Sequence, residues 1–544
     1  MEVENVLIPA INPLAAGYSE GDPEIQKHFH YDFRSGGDYK QRLNELARRP
    51  FLREELAEYI SSFMKPFPSS DKVAQSLEKL RLPNSAVVIG GQQAVILTGP
   101  LYTIHKIISI IVLSRKKERE LGIPVVPVFW IAGEDHDYQE VNHVFLPYAD
   151  QIEKYVYPEK IRGKRMISDC PVNKEICMQW TKSLIAKLGE TEYTNELLQM
   201  LEEAALRSQT FVDYFAFLIM SLFKDHGLLI VDSGDPGLRQ LEKHIFVQQI
   251  ESAGQILKAV RSQQEILSWD GFTKAIDLHE KSANLFFYDK ANDGRILLTY
   301  DERRKMFSGK NGFPSFSIDE LFEMARESPE KLSNNVVTRP LTQELLFPTL
   351  AFIAGPGEIA YWAELKQVFE LFQIKMPVIV PRLNITLLER NIESLLGKLG
   401  LDAPRILQKG ARAVKESFIN GVKNQNISSI FAEMKRQLQR NYQLLAGKVE
   451  RDVGSLLPLI RKNEVLLMKQ LDFLQEKMEE AFLMKDVHQL RKIGRIENSL
   501  RPFGWPQERI WNVLYFLNKY GLNFADELCE LLYDFDGNHK IVKL

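Results

Sequence analysis

The sequence predicts an α/β fold: a doubly wound parallel sheet carrying two insertions, followed by an α-helical antiparallel coiled coil. Three observations predict it. Up to about residue 390, short β-branched runs that are apolar on both faces alternate with helical periodicity, the pattern of a sheet covered by helices on each side. Glycine turns stand where strand hands over to helix. Beyond about Leu388, apolar residues recur at steps of three and four, as in a coiled-coil seam.

The first strand is expected at Ser85–Ile89 and ends in Gly90-Gly91-Gln92-Gln93. A second turn, Thr98-Gly99-Pro100, opens an apolar helix over Tyr102–Leu121. Strand, glycine turn and helix N-terminus in that order make an anion site, because unpaired helix N–H groups point outward and the helix dipole favours negative charge. Thr98, Tyr102, His105 and Ser109 recur at i, i+4, i+7 and i+11, one helical face, opposite Ile104, Ile107, Ile108 and Ile111. A polar stripe on so apolar a helix predicts the wall of a ligand pocket. A satisfied core position is the competing reading of His105, and solvent is the competing direction for Lys106.

Three further strands are expected at Val125–Ile131, Gly227–Val231 and Pro377–Val380, with helices at Thr210–Asp225 and Ile359–Gln373. Ligands of such sheets sit beyond the carboxyl ends of the strands. One insertion, at about 146–205, opens with a β excursion at Gln151–Tyr157 and continues as helices. The other, at about 274–312, places Asn284–Tyr288 and Ile296–Tyr300 around Asn292-Asp293-Gly294, a hairpin signal.

The core is therefore expected over 1–390 and the helical coiled-coil domain over 391–500. A C-terminal helical segment, 501–544, should dock on the core, since Trp505, Trp511, Tyr515 and Phe516 make it too apolar to hang free. One seam of the coiled coil is read as Ile427, Phe431, Met434, Leu438, Tyr442, Leu445 and Val449. The other is Leu467, Leu471, Leu474, Met478 and Ala481, with Gly454 and Pro458 marking the reversal. Two helices alone bury little, so a homodimer through the coiled coil is expected.

Bulk properties exclude several classes. The 544 residues are 45% hydrophobic and 26% charged, as in soluble globular proteins. With 69 basic and 72 acidic residues, the net charge of −3 gives no case for general nucleic-acid binding. No apolar run approaches the roughly 20 residues of a membrane span, and no basic segment precedes an apolar core at the start, so no membrane partner and no secretory signal are expected. Three cysteines without a CxxC pair argue against a disulfide scaffold or structural zinc, and a reducing cytoplasm is the expected setting.

The second expected strand runs straight into Gly133-Glu134-Asp135-His136-Asp137. Three carboxylates and a histidine at a strand's carboxyl end perturb one another's protonation, which suits acid–base chemistry. A solvated helix-capping loop is the bland alternative. A metal site on Glu134, His136, Asp137 and His143 is the sharper one, although no ligand spacing supports it. Arg339, in Asn335–Glu344, is a candidate clamp for carboxylate or phosphate, or a surface ion pair. That stretch is read as a polar segment followed by an apolar helix. Ala354-Gly355-Pro356-Gly357-Glu358 repeats the glycine–proline helix opening. Phe307–Gly312 reads either as a phosphate-binding loop or as a hairpin tip, and it lacks P-loop spacing.

The motifs GGQQAVILTGPLYTIHK, PVFWIAGEDHD, NVVTRP, AGPGEIAYWAELK and ERIWNVLYFLNKYG together resemble the bacillithiol-biosynthesis cysteine-adding enzymes of the BshC type, along essentially the whole chain. The resemblance implies a Rossmann-like core with two connecting-peptide insertions and a coiled-coil domain supporting a homodimer. It also implies a ligase that joins cysteine to the amine of glucosaminyl-malate as the last step of bacillithiol synthesis. The core of that family looks like class I aminoacyl-tRNA synthetases, which implies ATP or another activating nucleotide, with any accompanying magnesium, as the cosubstrate. Thr98–Lys106 stands in the place of one synthetase signature, and Lys305–Lys310 echoes the other.

Such chemistry needs a cradle for negative charge, a clamp for substrate acids and a proton acceptor. The cradle is assigned to Gly90, Gly91, Gln92, Gln93, Thr98 and Gly99, and the acid clamp to Arg339. Tyr102, Lys106 and Glu358 join the substrate- or nucleotide-binding set. Proton transfer falls to His105 or to one of Glu134, Asp135, His136 and Asp137, with His136 favoured. A degenerate synthetase-like scaffold and a metal hydrolase built on the GEDHD loop are the alternatives. The expectation turns on His105 and His136 sharing one cavity.

Overall fold

Five parallel strands form the central sheet of the computed structural model, which describes residues 1–148, 151–161, 163–292, 294–423, 427–485 and 487–544. They are β1 (Ala86–Gln92), β2 (Val125–Ile131), β3 (Leu229–Asp232), β4 (Thr349–Ala354) and β5 (Val378–Pro381), hydrogen-bonded in the order β3-β2-β1-β4-β5. β1 pairs with β2 from Ala86↔Val125 to Gln92↔Ile131, and β4 pairs with β5 from Ala351↔Val378. β2 to β5 are buried throughout, as is β1 up to Gly90, which is why each reads as a continuous apolar run. The strand order reverses at β1/β4, and that topological switch point is where an open α/β sheet leaves a crevice.

β4 corrects the sequence reading. Asn335–Glu344 is not a polar lead-in to a helix: α2 (Thr338–Leu346) already occupies it. The chain then enters β4, which lies parallel against β1. The expected helix over 359–373 is two pieces, Pro356–Ala363 and Lys366–Leu371, the first of which is α3. The long helix α1 (Leu101–Leu121) packs on β1 and β2.

The first insertion is a hairpin, His143–Tyr148 with Gln151–Val156, followed by helices Lys174–Leu188 and Thr194–Arg207. The second is a five-stranded antiparallel sheet with its own core of Phe246, Leu285, Leu298, Phe307 and Leu332. It runs past residue 312: Leu332–Asn334 pairs with Ser282–Asp289, and Met306–Ser308 pairs antiparallel with Ser315–Ser317. Phe307–Gly312 is therefore the end of a strand and the hairpin tip after it, the second of its two readings. Asp293 of the expected hairpin turn lies outside the described residues. The chain ends meet, Glu2–Val6 pairing antiparallel with His539–Lys543, a long-range pairing that local patterns do not announce.

Two compact units result, residues 1–387 with 507–544, and residues 388–506. The second holds α4 (Ile427–Asp452) and α5 (Leu457–Lys485), antiparallel across the turn Gly454–Leu456. Lys435 Nζ meets Asp472 at 2.6 Å, and Tyr442 donates to Asn463 at 2.5 Å. The first expected seam is partly used: Phe431 is buried and Leu438, Tyr442 and Val449 are half-buried, but Met434 and Leu445 are exposed. The second is misplaced: the half-buried edge of α5 is Glu464, Met468, Leu471, Gln475 and Glu479, which leaves Leu467, Leu474 and Met478 exposed. Among the described residues, no helix is long and apolar enough to cross a membrane.

Candidate active site

A cavity of about 540 Å³ opens at the carboxyl ends of β1, β2 and β4, at the switch point. Gly91 and Gln92 at the end of β1, and Gln93 just after it, line the cavity. Gly91 has a structural reason to lack a side chain: a Cβ there would lie 2.9 Å from the Trp130 carbonyl on the neighbouring strand.

Helix α1 turns Tyr102 and Lys106, four residues apart, toward the cavity. Lys106 is buried, and its Nζ donates to the Gly91 carbonyl at 2.7 Å and to Glu358 Oε2 at 2.5 Å. Burial pushes this lysine down, while the Glu358 carboxylate opposes the shift. Glu358 also accepts the Gly355 N–H at 2.7 Å, closing the first turn of α3. Lys106 thus spans the switch point from α1, tying the end of β1 by a hydrogen bond and the start of α3 by an ion pair. Arg339, from α2, donates to the Tyr361 hydroxyl at 2.5 Å and also lines the cavity.

The acidic loop after β2 divides its labour. Glu134 lines the cavity but is buried, accepting from Arg239 at 2.5 Å and from the Asn334 N–H at 3.0 Å. Asp135 faces the cavity with Oδ2 held by Gln93 Nε2 at 2.6 Å. His136 does not line it: its Nδ1 lies 3.3 Å from Arg295 Nη1 and 3.6 Å from Asp135 Oδ1. Burial first, and then the Arg295 guanidinium, lower its pKa, with the Asp135 carboxylate opposing the shift. Asp137 caps the short helix Tyr138–Val141 through the Gln139 and Glu140 N–H groups. His143 leans on the Gln139 carbonyl. The donors of the imagined metal site are thus spent separately, and among the described residues no cluster of three or more His, Cys, Asp or Glu converges.

The other half of the expected site is also corrected. His105 is fully buried, with Nδ1 3.2 Å from Glu508 Oε2, and burial pushes its pKa down. Ser109 donates to the His105 carbonyl and accepts from the Leu383 N–H. Thr98 is buried and Gly90 is covered by Ile110 and Ile353. Thr98 and Gly99 adopt positive φ (67° and 69°), and the carbonyls of Leu97 and Gly99 are held by Asn512 Nδ2 at 2.8 and 2.7 Å. The Leu101 N–H, the first of α1, donates to the Trp511 carbonyl at 2.8 Å. The C-terminal segment therefore seals the helix opening read as an anion cradle. Neither His105 nor His136 lines the cavity at the switch point.

Sequence reasoning missed Arg295, Arg382 and Arg509, all of which line the cavity. Arg382 was findable, since it lies two residues past the last expected strand. Its Nη2 donates to Glu508 Oε1 at 2.6 Å. Burial alone would raise the Glu508 carboxyl, but Arg382 and His105 together hold it at about 2.

A 3-2-1-4-5 parallel sheet with a charged, ligand-sized cavity at its switch point defines a Rossmann-like enzyme of small molecules. Residues 1–383 match the family model described as bacillithiol biosynthesis BshC, N-terminal Rossmann-like domain, and residues 385–544 match the C-terminal coiled-coil domain of the same family. Over full length on both sides, the chain is 43% identical to a relative from Geobacillus sp. (strain WCH70) across 543 residues. It is 42% identical to one from Geobacillus thermodenitrificans and 39% to one from Bacillus licheniformis, again over the whole of both chains. Each of these relatives carries the name "Putative cysteine ligase BshC". The chain belongs to the BshC family of bacillithiol biosynthesis and is a ligase. A solved structure from Campylobacter jejuni, described as a putative arginyl-tRNA synthetase, covers 89% of this chain and 98% of its own at 10% identity; its TM-score of 0.23 is too low to equate the folds.

Proposed function

We propose that the chain joins the carboxyl group of L-cysteine to the amine of glucosaminyl-malate, the last step of bacillithiol synthesis, with ATP as activating cosubstrate. The observation that carries this reading is the whole-length similarity to relatives named for cysteine ligation. The cavity supports it, because its walls hold what amide formation needs. Lys106 and Arg339 face the negative charge that builds on an activated carboxylate. Asp135, fixed by Gln93, holds the incoming ammonium group and takes its proton. His136 stands beside Asp135, its Nδ1 3.6 Å from Oδ1.

The opening of α1 does not fit a nucleotide, since Trp511 and Asn512 occupy its turn. The opening of α3 does: Gly355, Pro356 and Gly357 line the cavity, and a side chain on Gly357 would meet nothing within 4 Å. ATP bound there supplies activation of the cysteine carboxyl group. Lys106 and Arg339 orient its phosphates against the same wall.

The same reading makes the protein a homodimer, since a second copy covers the exposed Leu467, Leu474 and Met478 stripe. A cytoplasmic setting accords with three buried free cysteines, Cys170, Cys177 and Cys529. The test mixes purified protein, cysteine, ATP and glucosaminyl-malate and tracks product by mass. A species equal to both substrates less one water is expected, from a protein that sediments as a dimer. Absence of that species from folded protein refutes the reaction, and a monomer refutes the assembly.

A further inference from the structure

Arg509 is the one arginine at the cavity that makes no hydrogen bond or ion pair with any described residue. The other cations there are spoken for: Lys106 by Glu358, Arg339 by Tyr361, Arg382 by Glu508, and Arg295 by Ser333 and the Asn334 carbonyl. Of the carboxylates at the cavity, Glu134 is satisfied by Arg239, Glu358 by Lys106, and Asp135 by Gln93. An exposed arginine on a short helix would carry no weight alone. The difference lies in how tightly its neighbours are tied down.

Arg509 sits on α6 (Gln507–Ile510). Gln507 accepts the Leu387 N–H at 2.8 Å and donates to the Leu387 carbonyl at 2.9 Å. Glu508 grips Arg382 and His105. Trp511 and Asn512 hold the turn before α1. Every neighbour from 507 to 512 that makes these bonds uses them to anchor the segment inward, and Arg509 alone is turned to the cavity. A guanidinium presented on so fixed a backbone binds an anion without first ordering the chain, and its planar fork suits a carboxylate or a phosphate.

We infer that Arg509 binds an anionic group of a substrate at the cavity rim, and that the 507–512 turn is the device that positions it. This rests on the reaction proposed above. The anion is either a carboxylate of the malate portion or a phosphate of the nucleotide, and the test separates them. Full-length wild type, Arg509→Ala and Arg509→Lys are compared in two ways. Steady-state KM is measured for each of the three substrates, and calorimetric affinity is measured for malate and for inorganic pyrophosphate.

Loss of one charged contact is expected to weaken one KM, and the matching probe, by about tenfold or more. The fall in kcat is expected to be smaller, and Arg509→Lys should lie between the other two. A malate response identifies the carboxylate, and a pyrophosphate response identifies the phosphate. Constants within twofold of wild type in both experiments overturn the inference. If wild type makes no product yet binds a probe through Arg509, the reaction fails and the anion site stands.

Discussion

Two strands of the parallel sheet, β1 and β4, each lead into a glycine–proline turn that opens a helix, and the two openings are put to opposite uses. At Thr98-Gly99-Pro100, Asn512 binds the turn carbonyls and the Trp511 carbonyl takes the first helix N–H. At Gly355-Pro356-Gly357, the turn borders the cavity, and Glu358 reaches back to Gly355 while pairing with Lys106. A strand–glycine–helix sequence creates the capacity to bind an anion. Whether the capacity is used depends on what a distant part of the chain lays across it.

The difference is sharpened most by removing the ion pair at the open turn. Lys106→Met and Glu358→Gln are each expected to cut product formation by about 10²–10³-fold, as for loss of a preorganised charge in an active site. Both variants should be less stable, because one member of a buried pair is left alone, but still folded by circular dichroism at the assay temperature. Product at a tenth of the wild-type rate or more would dissolve the distinction between the turns.

Next in size is a pH effect behind the closed turn. Burial holds His539 down at about 4, with Nε2 against Thr386. A histidine depressed on folding favours the native state above its unfolded value near 6.5, and that contribution is lost as pH falls toward 4. The interval corresponds to on the order of 3 kcal/mol. Urea midpoints of wild type and His539→Gln, compared from pH 7.5 to 4.5, should therefore converge as pH falls. A constant gap would show that His539 does not titrate there.

Smallest is Asn512→Ala, which strips two buried carbonyls of their donor and should cost about 2 kcal/mol of unfolding free energy. Turnover should fall far less than in Lys106→Met, as read by urea titration alongside the product assay. The reverse ranking would make the closed turn catalytic.

Much of the fold was legible because it is written locally. β1, β2, β3 and β5 announce themselves as β-branched runs apolar on both faces. β4 was legible in principle, since Thr349–Ala354 ends in the same glycine–proline signature, but the helix-like Leu345-Leu346 before it drew the reading astray. The pairing of Glu2–Val6 with His539–Lys543 joins the two ends of the chain, and no short-range pattern encodes it.

The cavity was half legible. Nine of the residues singled out from the sequence line it: Gly91, Gln92, Gln93, Tyr102, Lys106, Glu134, Asp135, Arg339 and Glu358. Gly90, Thr98, Gly99, His105, His136 and Asp137 do not. Helical period groups Tyr102, His105 and Ser109 on one side of α1, but Thr98 lies in the turn before the helix, at positive φ, and does not belong to that stripe. Nor can the period say which edge of that side faces water. Glu508 covers the His105 edge from some four hundred residues away, leaving Tyr102 and Lys106 to form the wall. His136 had the favoured chemistry, but Arg295 from the second insertion occupies its ring nitrogen.

The most direct test is a crystal structure with cysteine and a non-hydrolysable ATP analogue bound together. Both ligands are predicted at the switch point, with phosphates at the opening of α3 near Lys106 and Arg339 and the cysteine carboxyl group on the same wall. Phosphate density at the Thr98–Pro100 turn, or away from the strand ends, would contradict the account.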